Sequence, residues 1–181
     1  MKNPENHILD QAHESLFQYD RWRFRFLGVL LYVAAALGFL LLLVNIPGFR
    51  GIEFGIFSVI YALLLVVTFV PLSYAVKAGT LIAAGYFVGI YTLMQLGPWS
   101  GALIYFLGIT LFASLLFDQR IDLWVLVINT ITMIVVGGLH LSGLFLLTSP
   151  VAPDARLSDW LSYGADYVAF GIALTWAITL L

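Results

Sequence analysis

The chain has no cysteine among its 181 residues. It can therefore form no disulfide, no thiolate metal site and no cysteine nucleophile. Cysteine usage consequently gives no indication of the redox state of its compartment. Other catalytic patterns do not occur with usable spacing either. These are paired carboxylates within the membrane, a serine beside a base, a histidine-rich metal pattern and a phosphate-binding glycine loop. We therefore expect no enzyme activity, no cofactor and no metal site in this chain.

Charged side chains are also scarce, at 10% of residues with a formal net charge of -2. Cationic residues cluster only at Arg21, Arg23 and Arg25, so no basic field exists for nucleic acid. Nucleic-acid binding is therefore excluded. Apolar residues make up 62% of the chain and the mean hydropathy is +1.01. Such a composition indicates that lipid, rather than water, is the main solvent.

Six apolar runs follow one another, separated by short breaks that carry glycine, proline or charge. A helix needs about 20 apolar residues to cross the hydrocarbon core of a bilayer. The sequence therefore predicts an all-α, polytopic membrane protein with six transmembrane helices. The predicted spans are 26–44, 54–72, 78–96, 101–117, 123–147 and 163–181. The sixth is marginal, since it rises only about 27 Å against a core of about 30 Å.

The ends of the chain are predicted to lie in the cytoplasm. This orientation places six of the eight Lys and Arg residues inside and leaves Arg50 and Arg156 outside, as the positive-inside rule requires. Residues 1–23 are then cytoplasmic. Within them, residues 5–20 have apolar and polar side chains at helical spacing, which fits either an amphipathic interfacial helix or a solvated lead-in.

Polar side chains inside a bilayer are costly, so the few that occur in or near the spans are candidate functional residues. Four of them are predicted to lie at the outer ends of spans: Glu53, Gln95, His140 and Asp166. They could line an outward-facing pocket for a small or cationic ligand, or sense external pH through His140, or simply be solvated at the interface. A metal site is not expected, because these residues belong to different helices without a diagnostic spacing.

Asn129 is the exception, because it lies deeper, in the inner part of the fifth span. We expect it to hydrogen-bond across helices or to the backbone, together with the nearby Thr130 and Thr132.

Small residues recur at four-residue spacing in the sixth span, at Ala165, Ala169, Ala173 and Ala177. Such an alanine seam lets two helix backbones approach closely, so it is either an intramolecular packing face or a dimer face. Gly85 and Gly89 form a similar pair in the third span. The pair Gly137 and Gly138 could permit a bend in the fifth.

Three segments carry a resemblance to a known family. They are Tyr19-Asp20-Arg21-Trp22-Arg23, Gly97-Pro98-Trp99-Ser100-Gly101 and Leu115-Leu116-Phe117-Asp118-Gln119-Arg120. With them, nearly the whole chain resembles the N-terminal, multi-span membrane sensor region of bacterial sensor histidine kinases, which precedes a PAS or dimerisation module. The resemblance implies the input half of a two-component receptor that crosses the bacterial inner (plasma) membrane several times. It also implies a homodimer surrounded by membrane lipid, with a small-molecule ligand that the sequence leaves unnamed.

The last span is expected to connect this region to its output. The chain stops at Leu181 within an apolar run, so we expect helix six to continue into a cytoplasmic module and to pass the signal to it. Kinase activity is not expected here, because the 181 residues hold no phospho-acceptor histidine motif and no nucleotide-binding glycine box. The alternatives are a stand-alone small-molecule carrier or channel component, and a non-catalytic membrane packing subunit.

Overall fold

The computed structural model describes residues 4–45, 51–117, 121–144 and 154–179, and within its first helix it describes the side chains of residues 21–44. Over these residues the chain is all-helical, without a strand, which confirms the all-α part of the predicted fold. The six helices are α1 (Pro4–Asn45), α2 (Gly51–Phe69), α3 (Tyr74–Leu96), α4 (Ala102–Leu116), α5 (Ile121–Leu141) and α6 (Leu157–Thr179), with a 3-10 turn at Gly97–Trp99.

In the described part of the chain, four helical segments are long and apolar enough to cross a membrane: Arg21–Val44, Gly51–Phe69, Tyr74–Trp99 and Ile121–Leu141. They make the chain a multi-pass membrane protein. Helix α4 has 15 residues, which rise about 22 Å and so fall short of a bilayer core. Helix α6 has 23 residues but is less apolar than the four. The fourth and sixth spans and the orientation of the termini therefore stay predictions.

Helix α1 is continuous over 42 residues, so residues 5–20 and the first predicted span form one helix. The placement of residues 5–20 at the membrane interface stays a prediction.

Most helix ends differ from the predicted span ends by a few residues, and in α5 and α6 one end differs by six, for which local hydrogen bonds give the reason. Helix α5 ends at Leu141 instead of 147, because the next turn is closed by Gly143, whose φ of 73° is the left-handed conformation that glycine tolerates. The Gly143 N–H donates to the His140 carbonyl at 3.0 Å. Helix α6 begins at Leu157 instead of 163, because the Asp159 carboxylate accepts the Arg156 backbone N–H at 2.8 Å, as in one half of a capping box.

The chain divides into two compact units, residues 1–81 and 82–181. In the first unit α1 packs against α2. Aromatic pairs fill this contact, with ring centroids 6.0 Å apart for Tyr32 and Phe69 and 6.4 Å apart for Phe39 and Tyr61. At the start of α3, the Arg23 guanidinium lies 5.7 Å from the centre of the Tyr74 ring.

In the second unit α4, α5 and α6 pack against one another, and the remainder of α3 lies against α4. Glycines allow the closest approaches. A Cβ on Gly89 would lie 2.9 Å from the Phe106 ring, and one on Gly85 would lie 3.3 Å from Ile109, so both glycines of the third span serve packing within the chain. At the α5–α6 contact, Gly137 makes room for Trp160 in the same way.

Candidate functional site

The candidate site lies where α6 meets α4 and α5. Helix α6 turns one face to these helices through Trp160, Tyr163, Tyr167 and Gly171, all of which are buried. Their spacing of three and four residues keeps them on one side of the helix. Tyr167 is 0% exposed and has one of the largest fully buried side chains of the chain. The position of α6 is thus set by a continuous aromatic face.

A polar cluster interrupts this apolar contact, and we call it the Asn129 junction: Phe106 and Thr110 on α4, Asn129 on α5 and Tyr167 on α6. The amide nitrogen Nδ2 of Asn129 donates to the Tyr167 hydroxyl at 2.8 Å and to the Phe106 carbonyl at 3.3 Å, and it lies 3.5 Å from the Thr110 hydroxyl. The Thr110 hydroxyl donates to the same carbonyl at 2.9 Å and lies 3.0 Å from the Tyr167 hydroxyl. Three helices are therefore tied together at one point.

The hydrogen bonds of the Asn129 junction have a defined direction. Because the single Thr110 hydrogen goes to the Phe106 carbonyl, the bond between the two hydroxyls has Tyr167 as its donor and Thr110 as its acceptor. Tyr167 in turn accepts from Asn129. The chain of donation runs from α5 to α6 to α4, so a displacement of α6 breaks two of its bonds.

One atom of the junction is left over. Asn129 is 0% exposed, and no donor in the described part of the chain reaches its amide oxygen Oδ1. The assignment of oxygen and nitrogen follows from chemistry, since the amide atom facing the Phe106 carbonyl must be a donor. A buried acceptor without a partner costs about 1–3 kcal/mol. Among the described groups, the Asn129 amide is therefore bonded through its nitrogen alone.

Helix α3 is joined to α5 by a second polar contact beside the junction. The Tyr86 hydroxyl is hydrogen-bonded to the Thr132 hydroxyl, and the Tyr86 ring lies 5.9 Å from the Phe106 ring. Thr132 and Thr130 also donate to backbone carbonyls four residues earlier, at 2.9 and 2.8 Å. The predicted hydrogen bonding of Asn129 across helices is confirmed.

The four predicted outer-end residues lie in different surroundings. In the second unit, Gln95 donates to the Tyr91 hydroxyl of its own helix at 2.9 Å, and the His140 ring lies 6.1 Å from the Trp160 ring. Asp166 is exposed, six residues or about 9 Å along α6 from Trp160, and is not on its buried face. In the first unit, Glu53 is half-buried in the first turn of α2. Their joint role as a ligand or pH-sensing cluster stays a prediction.

No group of three His, Asp or Glu side chains that could hold a metal ion occurs among the described side chains, those of residues 21–44, 51–117, 121–144 and 154–178. The candidate site is built instead from neutral amide and hydroxyl groups, which bind by hydrogen bonds and hold no permanent charge. Such a set can position helices without moving protons or electrons.

The alanine seam lies on the outer surface of α6. All four alanines, Ala165, Ala169, Ala173 and Ala177, are exposed, whereas the aromatic face is buried against α4 and α5. Contacts within the second unit therefore use the aromatic face of α6, and the seam is available to a partner.

Sequence reasoning missed Tyr167, Thr110 and Tyr86 as members of the site. The signal for Tyr167 was its place in the series Trp160, Tyr163, Tyr167 and Gly171, which is a second helical stripe beside the alanines. Thr110 and Tyr86 gave no comparable signal, because a lone hydroxyl in an apolar helix usually bonds to its own backbone.

Comparison with known proteins gives one result. The model of the MASE11 family matches residues 21–181, which is nearly all of the two units. Neither a curated protein nor a solved structure matches the chain. MASE domains are membrane-associated sensory domains of signalling proteins, which agrees with the four membrane-crossing segments. The chain belongs to the MASE11 family and is a membrane-associated sensory domain.

Proposed function

We propose that this domain is the input half of a bacterial sensor histidine kinase in the inner membrane. In this proposal the chain crosses the membrane six times with both termini in the cytoplasm, catalyses no reaction itself and passes its signal through α6 to a kinase module. The observation that carries it is the Asn129 junction, which ties α6 to α4 and α5 at a fully buried point. A change in the packing of α4 or α5 is thereby transmitted to the helix nearest the output.

The placement of the aromatic residues supports a signal that enters from outside. In the proposed orientation Leu157 marks the outer end of α6, where Trp160 contacts both His140 and the glycine at 137. A ligand or pH change at this end would first affect Trp160, the outermost residue of the aromatic face. It would then affect Tyr167, two helical turns closer to the cytoplasm. The order of residues along α6 thus fits a route from the outer surface to the cytoplasm.

A carrier or channel is less well supported. Transport needs a continuous polar route across the membrane midplane. The hydroxyl and amide groups of the Asn129 junction donate mainly to one another and to the Phe106 carbonyl, and they are packed among apolar residues such as Leu126 and Met133. That arrangement suits a helix contact better than a passage for solute.

The first test is whether a kinase acts under the control of α6. The gene product that includes the sequence following Leu181 is reconstituted in lipid nanodiscs and incubated with labelled ATP, and acid-labile phosphohistidine is measured. The variant Gly171→Ala places a Cβ 2.3 Å from a methyl group of the buried Leu126, so either the Leu126 side chain or α6 must move. We expect it to change the phosphorylation rate at least fivefold, about 1 kcal/mol of coupling free energy.

Gly164→Ala is the matched control, since it lies on the same helix and a Cβ there meets no described neighbour within 4 Å. It should leave the rate within twofold of the unaltered protein. A product that ends at Leu181, an absence of phosphohistidine, or equal rates for both variants would contradict the proposal.

The partner in this proposal is a second copy of the chain, joined along the alanine seam. Four exposed alanines at strict helical spacing let two α6 helices come within backbone contact. Replacing Ala169 and Ala173 with leucine should separate the helices and reduce the crosslinked dimer in native membranes at least fivefold. Replacing the exposed Ile172 with leucine is the control, because it changes shape without adding bulk to the seam. A dimer that survives both seam substitutions rules out this interface.

A further inference from the structure

The first unit carries its positive charge at one end. The aromatic pairs between α1 and α2 show that these helices are antiparallel, since the partners' numbers fall along α2 as they rise along α1. The start of α3 lies beside the first turns of the membrane-crossing part of α1, because the Arg23 guanidinium contacts the Tyr74 ring. Four cations gather there: Arg21, Arg23 and Arg25 on α1 and Lys77 on α3. This end of the unit is therefore strongly basic.

No acidic side chain compensates this charge within the described part of the first unit. The one carboxylate among its described side chains belongs to Glu53, in the first turn of α2. That turn lies about 24 Å along α2 from the end that meets the basic region. Along α1, no Asp or Glu stands three or four residues from Arg21 or Arg25, the spacing at which ion pairs form on a helix. Helical spacing thus gives these two guanidinium groups no partner within α1.

The contact with α3 fixes the direction in which the two arginines face. Arg23 is 7% exposed, and the Phe24 ring packs against Tyr74 with the ring centroids 4.9 Å apart. Arg21 and Arg25 stand two residues on either side of Arg23, which places them about 160° around α1 from it. Both are exposed. Helix α1 therefore holds one arginine inside the unit and presents the other two, about one helical turn apart, on its outer surface.

An aromatic pair and an apolar strip adjoin the two exposed arginines. The Trp22 and Phe26 rings are stacked, with centroids 5.2 Å apart and planes at 7°, and Trp22 is half-exposed. The residues four and seven positions after Arg25 are Val29 and Tyr32, which lie on the same side of α1 and are 61% and 58% exposed. The membrane-crossing segment begins with the first of the two arginines. The arginines therefore lie at the membrane interface, and the strip extends from them into the hydrocarbon.

We propose that Arg21 and Arg25 bind the headgroup of an anionic phospholipid, with Trp22 beside it and an acyl chain along Val29 and Tyr32. Guanidinium groups donate paired hydrogen bonds to phosphate oxygens, and the apolar strip takes the hydrocarbon. Two like charges four residues apart on a helix repel one another, so a phosphate between them replaces repulsion with attraction. Basic residues next to a membrane-crossing helix are typical of contacts with anionic lipid. The apolar strip favours a lipid over a free phosphate, which has no hydrocarbon.

The test is the binding of defined lipids to the 181-residue chain in detergent micelles, measured by mass spectrometry of the intact complex. Dioleoylphosphatidylglycerol is the anionic probe, and dioleoylphosphatidylcholine has the same acyl chains but no net charge. Inorganic phosphate is the anion without an acyl chain. We expect the first phosphatidylglycerol to bind at least tenfold more tightly than phosphatidylcholine, since each arginine contributes about fivefold. Inorganic phosphate at the same concentration should not displace it.

Substitutions locate the binding. Arg25→Gln should lower the affinity for phosphatidylglycerol about fivefold, and the double change Arg21→Gln and Arg25→Gln should bring it to within about twofold of that for phosphatidylcholine. Arg156→Gln is the matched control, because it removes one exposed positive charge from the second unit and leaves both arginines of the site in place. It should change the affinity less than twofold.

Equal affinities for the two lipids in the unaltered chain overturn the proposal. An equal loss for Arg25→Gln and Arg156→Gln also overturns it, since net charge alone would then account for binding. Displacement of the lipid by inorganic phosphate would show an anion site without a lipid part and contradict it too. The altered residues are exposed, so the variants should fold, with melting temperatures within about 2 °C of the unaltered chain. The measurement uses no kinase output, so failure of the lipid site and failure of the proposed function are distinguishable.

Discussion

Replacing Phe106 with alanine is expected to lower the free energy of unfolding of the second unit by about 3 kcal/mol. This value is the lower end of the range for a buried phenylalanine, because a bilayer supplies packing but no hydrophobic driving force between helices. The Phe106 ring is 0% exposed and lies 5.9 Å from the Tyr86 ring and 6.2 Å from the Tyr167 ring. Its removal leaves a cavity between α3, α4 and α6.

The effect of Phe106→Ala is measured by denaturant unfolding in mixed micelles. Ile104→Ala on the same helix is the matched control, since Ile104 is 74% exposed and meets lipid or detergent instead of protein. The control should stay within about 0.5 kcal/mol of the unaltered chain, as surface substitutions generally do. Equal losses for the two variants would show that the ring is not a core residue.

The adjacent glycines Gly137 and Gly138 should respond in opposite directions to the same substitution. A Cβ on Gly137 would lie 2.9 Å from two atoms of the Trp160 ring, which is rigid and buried, so alanine there forces α5 and α6 apart. We expect a loss of about 1–3 kcal/mol, the usual cost of overpacking. A Cβ on Gly138 has no described neighbour within 4 Å, and alanine there should stabilise the helix by about 0.5–1 kcal/mol.

Thermal unfolding of the two glycine variants in one detergent checks this pair. The comparison is sharp because the glycines are neighbours in one helix and differ only in the side of α5 that they occupy. Destabilisation by both substitutions would indicate a bend at this pair instead of a close contact with Trp160.

Hydropathy alone was enough to locate the helices, since a run of apolar residues long enough to cross a bilayer has few other structures open to it. The ends were harder to predict. The predicted span ends followed the long apolar runs. Two local signals inside those runs, the turn at Gly143 and the cap by Asp159, set the actual helix ends. Asn129 was identified because an amide deep in a span must find partners, and its partners are indeed on other helices.

The identity of those partners could not be read from the sequence. Helix α6 carries two stripes suited to close packing, the alanines and the series from Trp160 to Gly171. Spacing shows that each stripe exists, but the rotation of the helix about its axis decides which one is buried, and that depends on the shape of α4 and α5. Tyr167 and Thr110 meet at a distance of 57 residues in sequence, through a contact that only the fold creates.

The most direct test of the account is to compare helix position and output in one series of variants. The membrane-embedded gene product that includes the sequence after Leu181 is prepared unaltered and with Asn129→Leu, Tyr167→Phe, Gly171→Ala and Gly164→Ala. Two quantities are measured for each variant. One is the distance between spin labels attached at Ile131→Cys on α5 and Ile172→Cys on α6, and the other is the rate of histidine phosphorylation. The account predicts that the rate follows the fraction of molecules in one α6 packing, with Gly164→Ala matching the unaltered protein. A constant rate across variants whose α6 packing differs would contradict it.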